Sequence, residues 1–236
     1  MNRVLIKSED RAITTDSVNN FKIVLPDAIE GEYKLSEIAL YNTIYTVISG
    51  RNSAVYTDTG NATLTAGYYT TTTLAAHVQS KLRTATGDAT ITCTFNTTTY
   101  KFDFTSTAAI IFQWGNGATD SASELLGFTN TNVLMNGSSS INLPNLTSTR
   151  GILIAIDKAT SASSIMTGSV SSALVGSFYI PLNASFGSMV NLSDHDQKQR
   201  VMIERATTLT IRLYDERGRL LNLNDVNWSM LLEKVC

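Results

Sequence analysis

The stretch Thr207-Thr208-Leu209-Thr210-Ile211-Arg212-Leu213-Tyr214, followed by Asp215-Glu216-Arg217-Gly218 and Arg219-Leu220-Leu221, decides the fold class of this 236-residue chain. Successive side chains of an extended strand point to opposite faces. The alternation therefore sets Leu209, Ile211 and Leu213 on one face and Thr210 and Arg212 on the other, which is the pattern of a half-buried strand. Gly218 is free to take the positive φ that a tight turn needs, and Arg219-Leu220-Leu221 begins the return of a hairpin. Beyond it, Val226, Trp228, Met230 and Leu232 share a face opposite Asn227, Ser229 and Glu233, which predicts a final strand.

The same period recurs near the other end. Phe21, Ile23 and Leu25 alternate up to Pro26, and Tyr33 to Tyr45 reads as a longer strand whose apolar phase shifts around Ser36-Glu37, the mark of a bulge. Further strands are expected at Ile152 to Asp157, Phe178 to Leu182 and Val201 to Arg205. With a bias toward threonine, serine and asparagine and only 3 prolines, this is an all-β scaffold of short strands and polar loops. About eight strands divided between the two ends of the chain fit two packed antiparallel sheets, a sandwich or jelly roll.

The middle reads differently. After Gly67-Tyr68-Tyr69, the run from Thr70 to Leu82 places Leu74, Val78 and Leu82 on one helical stripe, with one of the threonines as N-cap. Ile91, Cys93 and Phe95, then Tyr100, Phe102 and Phe104, alternate on either side of Asn96-Thr97-Thr98-Thr99 as a second hairpin. Ser121 to Gly127 adds a helical turn closed by glycine, with Phe128 packing back. The expected organisation is a mainly β, single antiparallel jelly-roll sandwich with a small inserted α+β module: residues 1–48 and 148–236 form the jelly roll and 49–147 the insertion.

Composition narrows the function. A net charge of -2 and pI of 5.7 lack the basic surface that counterion release from nucleic acid requires. No apolar run reaches membrane-spanning length, the longest being of the kind Gly151 to Ile156. The amino terminus, MNRVLIKSEDR, carries no signal-peptide core, so synthesis in the cytosol is expected. Cys93 and Cys236 make no metal-site spacing, and Cys93 reads as a small core residue.

The search for chemistry returns absences: no GxSxG elbow, phosphate-binding glycine loop, HExxH or CxxC. No cofactor or metal is called for. His77 reads as a helix-surface histidine. Asp194-His195-Asp196 has the residue types of a metal or proton-acceptor site but reads better as a solvated loop. The seven Asn-x-Ser/Thr triplets are what so threonine- and asparagine-rich a chain produces by chance. Basic residues collect at Lys198, Arg200, Arg205, Arg212, Arg217 and Arg219 around Asp215 and Glu216. The bland reading is a solvated edge; the functional one is an inter-subunit contact through Arg212, Arg217 and Arg219, since complementary charge sets register and partner choice.

The run TLTIRLYDERGRLLNLNDVNWSMLLE, from Thr208 to Glu233, resembles the closing strands of jelly-roll capsid proteins of virophages and related large double-stranded DNA viruses of eukaryotes. AGYYTTTTLAAHVQSKL, TCTFNTTTYKFDFTS and SELLGF are similar to the inserted module of their penton and minor capsid proteins. The resemblance runs in order from Phe21 to Leu232. It implies a non-enzymatic penton, a homopentamer at the icosahedral fivefold vertices of the virion, contacting a double-jelly-roll major capsid protein and other minor capsid proteins. The segment after Ile152 departs from the family pattern, which keeps an internal or cementing minor capsid protein open. Two other classes also stay open: a carbohydrate-binding β-sandwich with an aromatic platform from Tyr68, Tyr69 or Trp114, and a hydrolase with a dispersed carboxylate pair.

Overall fold

The structure, a computed structural model, describes residues 3–147, 149–161, 177–192 and 199–235. The chain divides into two compact units, one made of Met1–Ile44 with Thr149–Cys236 and the other of Tyr45–Ser148. In chain order the first contributes β1 (Arg3–Lys7) and β2 (Asn20–Ala39). The second contains β3 (Ala54–Val55), β4 (Ala62–Thr63), α1 (Thr71–Thr86), β5 (Thr92–Asn96), β6 (Lys101–Thr105), β7 (Ile111–Phe112), α2 (Ser123–Leu126), β8 (Val133–Leu134) and β9 (Ser138–Ser139). The first then resumes with β10 (Gly151–Ile156), β11 (Ala159–Ser161), β12 (Ser177–Pro181), β13 (Arg200–Asp215) and β14 (Ser229–Lys234).

The first unit is a curled antiparallel sheet in the order β1-β14-β2-β13-β10-β12, with β11 also on β13, and the mainly β jelly-roll expectation holds. Its strands are longer than the alternation suggests. Phe21 to Leu25 and the strand beginning at Tyr33 are one element, β2, and Val201 to Arg205 continues into Thr207 to Tyr214 as β13. Bulges make this possible, because a bulged strand bends without leaving its ladder. Thr208 pairs with Val24 and Ala206 with Ile29, so residues 25–28 bow out of register. Pro26, which has no N–H to give, falls inside that bow. A smaller irregularity at Ser36 lies between the pairs Leu231–Glu37 and Leu232–Leu35, where the apolar phase shift predicts it.

The strand predicted to run to Tyr45 stops at Ala39. Beyond it the backbone is tied by side chains: Asn42 Nδ2 donates to the Ala184 carbonyl at 2.7 Å and Thr43 Oγ1 to the Leu223 carbonyl at 2.8 Å. Phe21, Ile23, Leu25, Tyr33, Leu35, Leu209, Ile211, Leu213, Trp228, Met230 and Leu232 are all buried. Each such aliphatic or aromatic burial contributes about 1.5–3 kcal/mol. Trp228 meets Phe21 edge-on at 5.9 Å and donates its indole N–H to the Val18 carbonyl at 2.7 Å. All six residues of β10 are buried, with Tyr179 and Tyr214 packed against Leu153 and Ala155.

In the second unit α1 presents Leu74, Ala75, Val78 and Leu82 to a core shared with Cys93, Phe102 and Phe104. Thr70 is the N-cap, in a reciprocal capping box with Thr73, and the helix closes on Gly87 at φ 76°. The hairpin pairs Cys93 with Phe104 and Phe95 with Phe102. Tyr100, expected on the strand, instead lies in the turn at φ 55° and is exposed. Asn96 Oδ1 accepts from the amides of Thr98 and Thr99, so the chain turns later and the strand starts at Lys101. The helical turn α2 closes on Gly127, and the Phe128 amide donates to the Ser123 carbonyl at 2.8 Å.

Candidate functional site

The β13 hairpin carries the arginines that the charge pattern singles out. Asp215, its side chain 1% exposed, ends the strand and accepts from the amides of Arg217 and Arg219 at 3.0 and 2.8 Å. Arg219 Nε donates to the same carboxylate at 2.7 Å. The Asp215 amide meets the Arg219 carbonyl at 2.9 Å, and Gly218 takes φ 75°. A carboxylate taken out of water needs compensating donors, and this turn supplies them. Arg219 is thus engaged with Asp215, and Arg217 lies exposed at the tip. Arg212 sits back on the strand, with Nε donating to Asn20 Oδ1 at 3.2 Å. The structure brings Arg217 and Arg219 to one turn and leaves Arg212 on the strand.

The neighbouring carboxylate fixes the root of the hairpin. Thr149 Oγ1 donates to Glu216, and the Arg150 amide reaches both of its oxygens at 3.1 Å. Burial acts to raise the Glu216 carboxyl, but hydrogen bonds from Thr149 and from the amides of Glu216, Arg150 and Gly151 outweigh it and hold it below the usual range. The root of the hairpin is therefore held by several hydrogen bonds to its two carboxylates. Arg200, farther back, pairs with Glu32 at 3.6 Å.

Other residues with the types for chemistry are structural. His77 lies on α1 as expected; its Nε2 accepts from the Thr65 amide at 3.0 Å and its ring packs on Tyr69 at 4.9 Å. Burial and then nearby Lys81 lower its pKa. Cys93 is a buried core residue whose thiol is pushed far up by burial. Trp114 corrects one expectation: it is 1% exposed and stacked between Phe112 and Phe128 at 4.9 and 5.3 Å. A ring so enclosed offers no face to a sugar, so it leaves the aromatic platform. Tyr69 is spent on His77 and on the Thr65 carbonyl, at 3.0 Å from its hydroxyl, while Tyr68 is exposed. Among the described residues, no three His, Cys, Asp or Glu side chains gather as metal ligands. Asp194-His195-Asp196, Lys198 and Cys236 lie outside the described residues.

No protein-family model matches the chain, and no curated protein sequence does. Two solved structures superpose over nearly its whole length. The mavirus penton protein covers 98% of this chain and 97% of its own, with a TM-score of 0.48 and 12% identity. A chain of the Sputnik virophage structure covers 99% and 98%, with a TM-score of 0.44 and 9% identity.

Sequence reasoning missed Gln199. Its Oε1 accepts from the Tyr179 amide and its Nε2 donates to the Tyr179 carbonyl, both at 2.6 Å, so it pairs with the open side of β12 as another strand would. A lone glutamine before a strand carries no signal of this, because the partner is twenty residues away.

Proposed function

We propose that this chain is a viral capsid structural protein of the penton type, forming a homopentamer at icosahedral fivefold vertices and contacting a double-jelly-roll major capsid protein. The observation that carries the reading is the order of the resembling sequence pieces and where they fall. Ala66 to Leu82 leads into and forms most of α1, Thr92 to Ser106 forms the β5–β6 hairpin, Ser123 to Phe128 forms α2, and Thr208 to Glu233 forms the second half of β13, its turn and β14. Each is a distinct supersecondary piece, so their order along one chain is not a by-product of β composition alone.

In a ring, one patch of a subunit meets a different patch on the next, and a rotation of about 72° per copy closes five of them. Gln199 already occupies the outer side of β12, which disfavours a ring built by pairing that strand across subunits. Side chains projecting from turns are the better candidates. Arg217 is foremost among them, with Arg219 in the same turn and Arg212 farther back on the strand. Contacts of this kind are modest singly and add around a closed ring.

The test is negative-stain imaging with mass measurement over a concentration series, together with location of the chain in the particles that contain it. Fivefold rings, or this chain at the vertices, support the penton reading. Monomers at every concentration, with the chain away from the vertices or missing from particles, overturn it.

A further inference from the structure

The chain holds two asparagines followed by glycine, Asn116-Gly117 and Asn136-Gly137. With no Cβ on the glycine to hinder it, the glycine nitrogen can turn onto the side-chain carbonyl carbon of the asparagine and close a cyclic imide, the route by which asparagine loses its amide. The sequence makes the two pairs alike, and the structure separates them. At Asn136 the backbone is tied on both sides. The Gly137 amide, whose nitrogen would attack, donates to the Phe104 carbonyl at 3.0 Å. The Met135 amide donates to the Ile110 carbonyl at 2.8 Å and the Ser138 amide to the Met135 carbonyl at 3.0 Å, and β9 then pairs with β6. Asn116 instead ends a turn of 3₁₀ helix, Trp114–Asn116, and is exposed together with both flanking glycines. Its own amide reaches the Gln113 carbonyl only at 3.3 Å. Among the described residues nothing accepts from the Gly117 amide or from Asn116 Nδ2, the group that would leave. Asn116 Oδ1 accepts from the Ala118 amide at 2.9 Å, closing a turn that contains both the carbonyl carbon and the Gly117 nitrogen. That donor stabilises the negative charge that gathers on Oδ1 during attack. Apart from chain neighbours, nothing lies within 4 Å of where a Cβ would stand on either glycine, so hydrogen bonding and not crowding distinguishes the two sites.

We propose that Asn116 is a site of spontaneous deamidation in the folded protein and that Asn136 is protected from it. The Gly117 amide gives its proton to hydroxide, and its nitrogen bonds to Asn116 Cγ. The Cγ–Nδ2 bond then breaks, and Nδ2 leaves as ammonia with a proton drawn from water. A further water opens the imide at one of its two carbonyl carbons. Opening at one gives aspartate, and opening at the other gives isoaspartate, in which the backbone runs through the former side chain. Water is taken up and ammonia released, and nothing is oxidised or reduced. The exposed loop gains a negative charge, so copies of different age differ in the surface charge of the second unit. This site is independent of the capsid reading and of the arginine hairpin.

The test is incubation of the full chain at mildly alkaline pH and body temperature, sampled over weeks. Each sample is cut with a glutamate-specific protease, which cleaves after Glu124 and so separates the two asparagines. The readouts are the mass change of amide to acid and enzymatic methylation of isoaspartate. The Asn116 peptide is expected to convert about tenfold or more faster than the Asn136 peptide, because reaction at Asn136 first requires a local opening that breaks several backbone bonds. In guanidinium chloride, where neither site is held, the two are expected to convert within about twofold of each other. Asn116→Gln, whose longer side chain closes the ring far more slowly, is expected to remove the early isoaspartate signal and leave the slow one at Asn136. The proposal is overturned by a folded chain in which Asn116 converts no faster than Asn136. It is also overturned by a rate ratio that stays the same on unfolding, or by an early isoaspartate signal that persists in Asn116→Gln.

Discussion

At the scale of single residues, the buried carboxylate of Asp215 is held by several partners at once. Asp215 accepts two amides and one guanidinium in a single turn. Asp215→Ala deletes the acceptor and leaves those donors facing a vacancy, so unfolding in urea is expected to lose about 2–4 kcal/mol. Arg219→Met, which keeps the backbone bonds and the apolar stem, is expected to lose less. His77 tests the opposite sign of charge. Its neutral ring accepts the Thr65 amide, and its pKa is lowered below 6.5 by burial and Lys81. Folding therefore favours the neutral form: the contribution is complete above the unfolded value and is lost as pH falls through the folded one. The thermal midpoint is expected to drop on acidification from about pH 7 toward pH 5, and His77→Gln to show a smaller drop over the same window. A midpoint that falls equally in both proteins removes His77 from the account. The lowered carboxyl of Glu216 acts in a separate window, lost only as pH falls below the ordinary carboxylate range.

At the scale of elements, local sequence signals and tertiary constraints divide clearly. The stripe Leu74, Val78 and Leu82 is enough to predict α1, because apolar recurrence every turn has one stable solution. The sequence offers several threonines as the cap, and the structure selects Thr70 through its bonds with Thr73. Thr70→Ala is expected to cost about 1 kcal/mol, read as a shift in the denaturation midpoint at unchanged slope. Gly127 closes α2 at φ 81°, and a Cβ there would lie 2.3 Å from the Asn142 carbonyl oxygen. Gly127→Ala therefore meets both backbone strain and a clash with backbone, and is expected to destabilise by about 2 kcal/mol or more. Strand lengths were less legible. Pro26 marks a break in the alternation, yet β2 runs through it, since the pairing of Val24 with Thr208 and of Ile29 with Ala206 lets the proline bow outward.

At the scale of the whole molecule, the proposed ring makes separable demands on the two arginines of the β13 turn. Arg217→Glu is expected to abolish ring formation in mass measurements, because its charge is at an exposed tip. Arg219→Glu is expected to affect both ring formation and the thermal midpoint, since it sets a carboxylate against Asp215. Rings that persist in Arg217→Glu would remove this arginine from the interface.

The alternations at Phe21 to Leu25, Thr207 to Tyr214 and Trp228 to Leu232, the phase shift at Ser36 and the turn at Gly218 were legible in the chain itself. Each is a local pattern in which side-chain period or backbone freedom has one structural meaning. What lies between distant residues was not. That Gln199 plugs the edge at Tyr179, that Trp114 is enclosed by Phe112 and Phe128 and that Arg219 is committed to Asp215 depend on which strands become neighbours. Tertiary structure decides these, because a hydrogen-bonding group or an aromatic face acquires its role only from the partner that long-range packing brings to it.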